Sequence, residues 1–193
     1  MPFRIPDWED SLSSDMKYFD ELKRTMEWIA QHPKTIFLGQ TVGGPGTFMF
    51  QTLRDLPQEK AHEMPVNEGF QMQFTLGLAL AGYIPISVYP RQNFLLLATA
   101  DMVNMLDKVP QISGGQLIPK VIIRAASGPY KPVHPGHQHV GNYAEGFRKM
   151  FSWIEVVELE EPQDIFPAYK HALEREDNKS TLLIEHGNYY NEK

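Results

Sequence analysis

Short apolar runs alternate with amphipathic stretches along most of this chain, and this alternation limits the fold more than any other feature. The runs are bounded by Gly, Pro or polar residues, which is typical of buried strands. The stretches between them place apolar residues at helical spacing. Strand and helix alternate about six times. The sequence therefore predicts an α/β fold, a mostly parallel sheet with helices on both faces.

The positions of these runs define the predicted elements. Strands are expected over residues 35–38, 83–89, 119–124, 154–157 and 181–185, with the run at 61–66 leading into a helix. Helices are expected over 68–81, 94–108, 142–150 and 162–174. An earlier helix carries Met16, Phe19, Leu22, Met26 and Ile29, with Ser13 or Ser14 as its N-cap, and ends at Pro33. Gly82 is placed as a C′ residue, and Pro110 is expected to end the 94–108 helix.

Composition excludes several classes of protein. With 193 residues, the chain is predicted to form one domain over 16–193 after an arm at 1–15. It contains no cysteine, which removes disulfide scaffolds and thiolate metal sites. The net charge of −6 argues against a nucleic-acid partner. Because the chain shows neither a signal sequence nor an apolar run of about 20 residues, we expect a cytoplasmic protein without a membrane partner.

Parallel α/β folds bind ligands beyond the carboxyl ends of their strands, so loops 39–46, 66–69, 89–94 and 125–141 are the candidate walls of a site. Glu68 lies where an apolar run turns into an apolar helix. One interpretation is a capping acid at the helix N-terminus; the other is a partly buried carboxylate kept for proton chemistry.

A histidine-rich loop is the second candidate. His134, His137 and His139 follow a predicted buried strand, and they could bind a metal, act in proton transfer or be incidental. The aromatic residues Tyr89 and Phe94 could stack on a planar ring or belong to the core. The glycine-rich run at 39–46 lacks the pattern of a phosphate-binding loop and is interpreted as a turn.

Five strings, in this order and spacing, resemble a known family. They are FLGQTVGG, MPVNEGFQMQFTLGLALAGYIPI, VYPRQNF, ISGGQLIPKVIIR and HPGHQHVGNYAEGF. The strings resemble the pyrimidine-binding domain of thiamine-diphosphate enzymes, in the transketolase-like group that includes the β subunits of 2-oxo-acid dehydrogenase E1 components. The resemblance covers about residues 16–187, and its most specific element is Glu68 followed by a small residue and an apolar helix.

The resemblance implies roles for particular residues. Glu68 matches the glutamate that hydrogen-bonds N1′ of the cofactor's aminopyrimidine. Gln40, a further candidate for cofactor binding, stands where E1 β subunits usually carry Glu. An aromatic residue stacks on the pyrimidine; Phe94 is the better match and Tyr89 the second.

The resemblance also implies a loop histidine that faces the reacting carbonyl. The spacing to two later aromatics, Tyr143 and Phe147, selects His139. The local string Gly-His-Gln instead matches His137. His139 is preferred, and both stay candidates.

The chain departs from the family in several respects. The sequence has no Gly-Asp-Gly motif, which binds Mg²⁺ and the diphosphate in the family, and we expect a protein without the extra C-terminal domain of E1 β subunits. The resemblance therefore implies half of an active site, with no metal ligand of its own. Thiamine diphosphate would be shared with a second subunit that supplies Mg²⁺, in an α₂β₂ assembly acting on a small carbonyl substrate. The expected reaction makes or breaks a C–C bond next to a carbonyl, by 2-oxo-acid decarboxylation or by ketol or acyl transfer.

Two other functions stay open at this point. A non-catalytic regulatory paralogue would retain the fold, and it is motivated by Gln40 and by Gln92, which replaces a family aromatic. A metal enzyme built on His134, His137 and His139 is the less favoured alternative.

Overall fold

Six parallel strands form one sheet in the order β2-β1-β3-β4-β6-β5. The computed structural model describes residues 16–131 and 134–192, with nothing stated for the side chain of residue 192. The predicted arm at 1–15, with the proposed caps Ser13 and Ser14, lies outside these residues. The strands are β1 Thr35–Gly39, β2 Ala61–Glu63, β3 Ile84–Tyr89, β4 Ile122–Ser127, β5 Glu155–Leu159 and β6 Thr181–His186. The predicted α/β architecture is confirmed.

Helices connect the strands. The α-helices are α1 Tyr18–Ala30, α2 Glu68–Leu80, α3 Gln92–Leu95, α4 Thr99–Asp101, α5 Val109–Ile112, α6 Ala144–Met150, α7 Pro162–Glu174 and α8 Tyr189–Glu192. Turns of 3₁₀-helix cover Met49–Thr52, Gln58–Lys60, Leu96–Ala98 and His137–His139, and a π-helical turn covers Met102–Leu106. The bounds predicted for α7 are those observed, and Gly82 follows α2 with the positive φ expected of a C′ glycine, +92°.

The two faces of the sheet carry different layers. The first face is covered by α1 and α7, whose apolar side chains pack on those of the strands. The second face is covered by α2, the segment 92–112 and α6. Along β4, Ile122 faces the first layer and Ile123 the second. Both are fully buried, as expected when both faces of a parallel sheet are covered.

The predicted continuous helix over 94–108 is wrong. This segment is broken into α3, a 3₁₀ turn, α4 and a π-helical turn. Its buried apolar side chains are Leu95, Ala98, Met102 and Leu106. Ala98, Met102 and Leu106 are four residues apart, whereas an ideal α-helix repeats every 3.6 residues. Because the helix is locally unwound, all three side chains still point at the sheet. Pro110 does not end the helix either; it lies in the first turn of α5, where its missing N–H is not needed.

Several boundaries also differ from the prediction, among them those of the fourth strand and the first helix. The fourth strand begins at Ile122 rather than at 119, because the carbonyl oxygen of Pro119 and the N–H of Val121 both bond to the Ser180 hydroxyl, outside the β4 ladder. The first helix begins at Tyr18 with Lys17 as its N-cap, so its start does not use a serine. Within 16–131 and 134–192, no helix is long and apolar enough to span a bilayer.

Candidate functional site

The predicted site residues lie on connections that follow the carboxyl ends of neighbouring strands. Gln40 follows β1, Phe94 follows β3 and His139 lies in the loop after β4. Since β1, β3 and β4 are adjacent in the sheet, these connections leave from the same edge. Glu68, at the start of α2, reaches the connection after β1 by a hydrogen bond.

Glu68 is the first residue of α2 and only 6% exposed. The helix is capped by Asn67, whose side-chain oxygen accepts a hydrogen bond from the N–H of Phe70 at 2.9 Å. The capping interpretation of Glu68 is therefore wrong, because the residue before it performs that role. The Glu68 carboxylate is left at the positive end of the helix dipole, available to another group.

Gln40 is the partner of that carboxylate. Its Nε2 donates to Glu68 Oε1 at 3.0 Å. In the part of the chain that the structure describes, no group donates to Glu68 Oε2. One carboxylate oxygen is therefore held in place, and the other can accept or donate a hydrogen bond when protonation allows.

Tyr89 belongs to the core. It is 1% exposed, packs with Met72 and Leu95, and directs its hydroxyl to the Glu68 carbonyl oxygen at 3.4 Å. Burial raises the pKa of Tyr89, so the phenol stays neutral. The ring supports the start of α2, and its burial leaves no face open for stacking on a ligand.

Phe94 and His139 contact each other. The two rings lie 5.6 Å apart, edge to face at 60°, and both residues are partly exposed. His139 Nδ1 is buried, and no described residue forms a hydrogen bond with it. A buried polar atom without a partner costs free energy, so this nitrogen is a place where a ligand group is expected.

The other loop histidines face elsewhere. His137 is exposed and packs edge to face on His134 at 5.5 Å, and His134 stacks on Tyr130 at 6.1 Å. This arrangement favours His139 over His137 as the histidine of the site.

Three polar residues between β3 and Phe94 hold the loop that carries His139, and the sequence analysis did not identify this role. Arg91 donates to the backbone oxygens of Gly128 and His139. Gln92, fully buried, donates to the Ser127 hydroxyl at 2.6 Å and accepts from the N–H of Tyr143 at 2.8 Å.

Asn93 completes this support. Its Nδ2 donates to the Tyr143 hydroxyl at 3.0 Å. Together the residues at 91–93 tie the histidine loop to the sheet. The available signal was the run of three polar side chains directly after a buried strand.

One cluster of potential metal ligands occurs among the described residues, and it is not in the histidine loop. It consists of Glu158, Glu160 and His186, at the ends of β5 and β6. Glu158 is already bound by Asn142 at 2.7 Å and by Arg148 at 3.0 Å. The interpretation of the histidine loop as a metal site thus has no support from this geometry.

Comparison with known proteins gives two informative matches. No family model matches the chain. The pyruvate dehydrogenase E1 component subunit beta of Gracilaria tenuistipitata var. liui is 24% identical over 185 residues, which cover 93% of this chain and 55% of that protein. The solved structure of a split gene transketolase, an inactive beta4 tetramer, matches with a TM-score of 0.68 at 15% identity, over 89% of this chain and 51% of that one.

The chain thus spans about half the length of the relatives it matches. The structural match has the same α/β fold, and the curated relative aligns across nearly the whole chain. In sequence and in fold, the chain is similar to the pyrimidine-binding domain of the transketolase-like and E1 β-subunit group.

Proposed function

We propose that this chain is the pyrimidine-domain subunit of a split thiamine-diphosphate enzyme that makes or breaks a C–C bond next to a carbonyl. The carrying observation is the buried Glu68 carboxylate at the start of α2, with Oε1 bound by Gln40 and Oε2 left open among the described residues. When bound, thiamine diphosphate supplies a thiazolium ring that stabilises negative charge on the adjacent carbon of the substrate.

Glu68 suits an aminopyrimidine because one of its oxygens is free to share a proton with a ring nitrogen. The Gln40 amide fixes the carboxylate by donating to the opposite oxygen. A carboxyl group placed in this way can hold a proton at N1′ and return it, which is the role of a general acid and base.

Phe94 and His139 suit two other parts of the site, the face of the pyrimidine ring and the substrate carbonyl. Phe94 is only half-buried, so part of its surface remains for a flat ring beside its contact with His139. His139 has a buried nitrogen with no hydrogen bond from the described residues, and this nitrogen can hold or move a proton at the substrate carbonyl. These are the roles we assign to the two residues.

An exposed apolar surface is evidence for the proposed second subunit. Phe70 and Phe74 on α2 lie side by side, with ring centres 6.1 Å apart, and are 45% and 46% exposed. Beside them an open groove of about 430 Å³ runs between α2 and the broken segment, lined by Met72, Gln73, Leu76, Gly77, Leu80, Asp101 and Met105. Apolar surfaces of this kind mark interaction sites. We assign this face to the polypeptide that supplies the diphosphate and Mg²⁺ site.

The test is a calorimetric titration of thiamine diphosphate with Mg²⁺. It is carried out with the chain alone, with a co-encoded polypeptide that carries a Gly-Asp-Gly motif, and with the mixture. We expect tight binding only in the mixture, followed by turnover of a 2-oxo acid or a ketose. Activity of the isolated chain would contradict the shared site.

Glu68→Gln decides whether the site is catalytic. In the mixture it should lower turnover by roughly 100-fold or more, because the amide cannot exchange a proton with a ring nitrogen. Glu59→Gln, an equal charge change on the exposed 3₁₀ turn before β2, is the matched control.

A regulatory subunit is the second candidate. It is favoured by Gln40, which stands where the resemblance leads one to expect an acid, and by a structural relative that is an inactive tetramer. Full turnover by the Glu68→Gln mixture would establish this function in place of the first.

A further inference from the structure

Glu63, the exposed last residue of β2, makes two backbone hydrogen bonds. Its Oε1 accepts from the N–H of Thr41 at 2.6 Å, and its Oε2 accepts from the N–H of Gly43 at 2.9 Å. Both N–H groups belong to the turn that follows β1. Because each carboxylate oxygen accepts from a different N–H group, Glu63 holds this turn by two hydrogen bonds.

The turn bound by Glu63 contains an unusual backbone conformation. Thr41 has φ of +56°, a left-handed conformation that β-branched residues rarely adopt. Such a conformation persists only where the surroundings hold it. Here the Thr41 N–H is held by Glu63, and the Thr41 hydroxyl lies 2.7 Å from that of Thr47.

Gln40 lies between Thr41 and Gly39, whose backbone is also held in place. The carbonyl oxygen of Gly39 accepts from the N–H of Met64 at 3.0 Å. A Cβ at Gly39 would stand 2.4 Å from the carbonyl oxygen of Val88, so only glycine lets β1 approach β3 this closely. The backbone on both sides of Gln40 is therefore fixed, and this sets the reach of its side chain to Glu68.

We propose that Glu63 is a positioning residue for Glu68, acting through Gln40. It does not contact the site itself. Its carboxylate keeps Thr41 left-handed, and the left-handed turn directs the Gln40 amide at Glu68 Oε1. Without two acceptors at position 63, Thr41 relaxes towards negative φ and Gln40 Nε2 leaves Glu68. The functional meaning of this link rests on the proposed role of Glu68, but the link itself does not.

Nuclear magnetic resonance on the full ¹⁵N-labelled chain tests the link without any activity. The chains compared are the natural protein, Glu63→Gln and the control Glu59→Gln. In Glu63→Gln we expect amide hydrogen exchange at Thr41 and Gly43 to be at least tenfold faster. We also expect the nuclear Overhauser contact between the Gln40 side-chain NH₂ and Glu68 to be lost. Glu59→Gln should match the natural protein in both measurements.

Retention of the Gln40–Glu68 contact in Glu63→Gln would overturn the proposal, even if exchange at Thr41 became faster, because Glu63 would then hold only the turn. In the mixture with the second polypeptide, Glu63→Gln should weaken thiamine diphosphate binding at least threefold relative to Glu59→Gln. If the natural protein bound no thiamine diphosphate, the proposed function would fail, whereas the resonance result would still decide the role of Glu63.

Discussion

The two faces of the sheet are covered in different ways. On the first face, α1 and α7 are unbroken helices of 13 residues each, and α1 buries Leu22, Met26 and Ile29 completely. On the second face, α2 leaves Phe74 46% exposed, and the broken segment leaves Leu97 67% exposed. Among the described residues, α1 and α7 cover the first face. The second presents apolar surface next to the candidate site, which is where we expect another polypeptide.

Buried charge on the first face should give the largest effect on stability. Arg124 and Glu185 are both fully buried and form an ion pair that also involves Thr52 and Tyr190. Arg124→Met leaves the Glu185 carboxylate buried without its cation, and should lower the free energy of unfolding by about 3–5 kcal/mol. Urea denaturation measures this change.

The double variant Arg124→Met, Glu185→Gln is the control for that experiment. It removes both charges and should recover part of the loss. If the single variant lost less than about 1 kcal/mol, the first face would not depend on this pair.

Asp107 is the corresponding buried acid on the second face. It is fully buried and accepts hydrogen bonds from the N–H groups of Ser152, Trp153 and Ile154. Asp107→Ala leaves these donors without a partner, and should cost about 2–4 kcal/mol of unfolding free energy. A loss as large as that of Arg124→Met would mean that the second face is equally dependent on one buried charge.

Asp107 should also make stability depend on pH. Burial alone would raise the pKa of Asp107, but hydrogen bonds from Lys108 and from backbone N–H groups hold this pKa below its ordinary value of 3.8. The stabilisation is complete above the unfolded pKa and is lost as the pH falls through the folded one. Urea denaturation at pH 6 and at pH 3 should therefore show a smaller acid loss for Asp107→Asn than for the natural protein.

Phe94→Ala should affect binding more than folding. In the mixture with the second polypeptide, the affinity for thiamine diphosphate should fall by about 1–3 kcal/mol if the ring stacks on the pyrimidine. Calorimetry gives the affinity, and Phe166→Ala, which truncates a partly exposed phenylalanine of α7 on the first face, is the control. Unchanged affinity would remove Phe94 from the site.

Phe74→Ser should give the smallest effect and bears directly on the difference between the faces. Because the side chain is half exposed, the stability of the isolated chain should change little. Association with the second polypeptide should weaken by about 1 kcal/mol, roughly fivefold. Sedimentation of the mixture measures the association, and equal association of Phe74→Ser and natural chains would place the interface elsewhere.

Local pattern was sufficient for most of the fold and for part of the site. The helix over Pro162–Glu174 was predicted with its observed bounds, because its apolar spacing and its starting Pro are local signals. Glu68 was singled out from its place between an apolar run and a helix, and the structure buries it there. The break of the 92–112 segment was missed because it follows from packing on the sheet, which is not a local property of the sequence.

The sequence by itself determined the alternating elements, the parallel sheet and the place of a carboxylate at position 68, between an apolar run and a helix. Only the tertiary structure decided which side chains meet: Gln40 with Glu68, Phe94 with His139, and Glu63 with the turn after β1. The physical reason is sequence separation. Periodicity reports the conformation of adjacent residues, whereas these contacts join residues from 20 to 45 positions apart, which become neighbours only when the strands of the sheet pair.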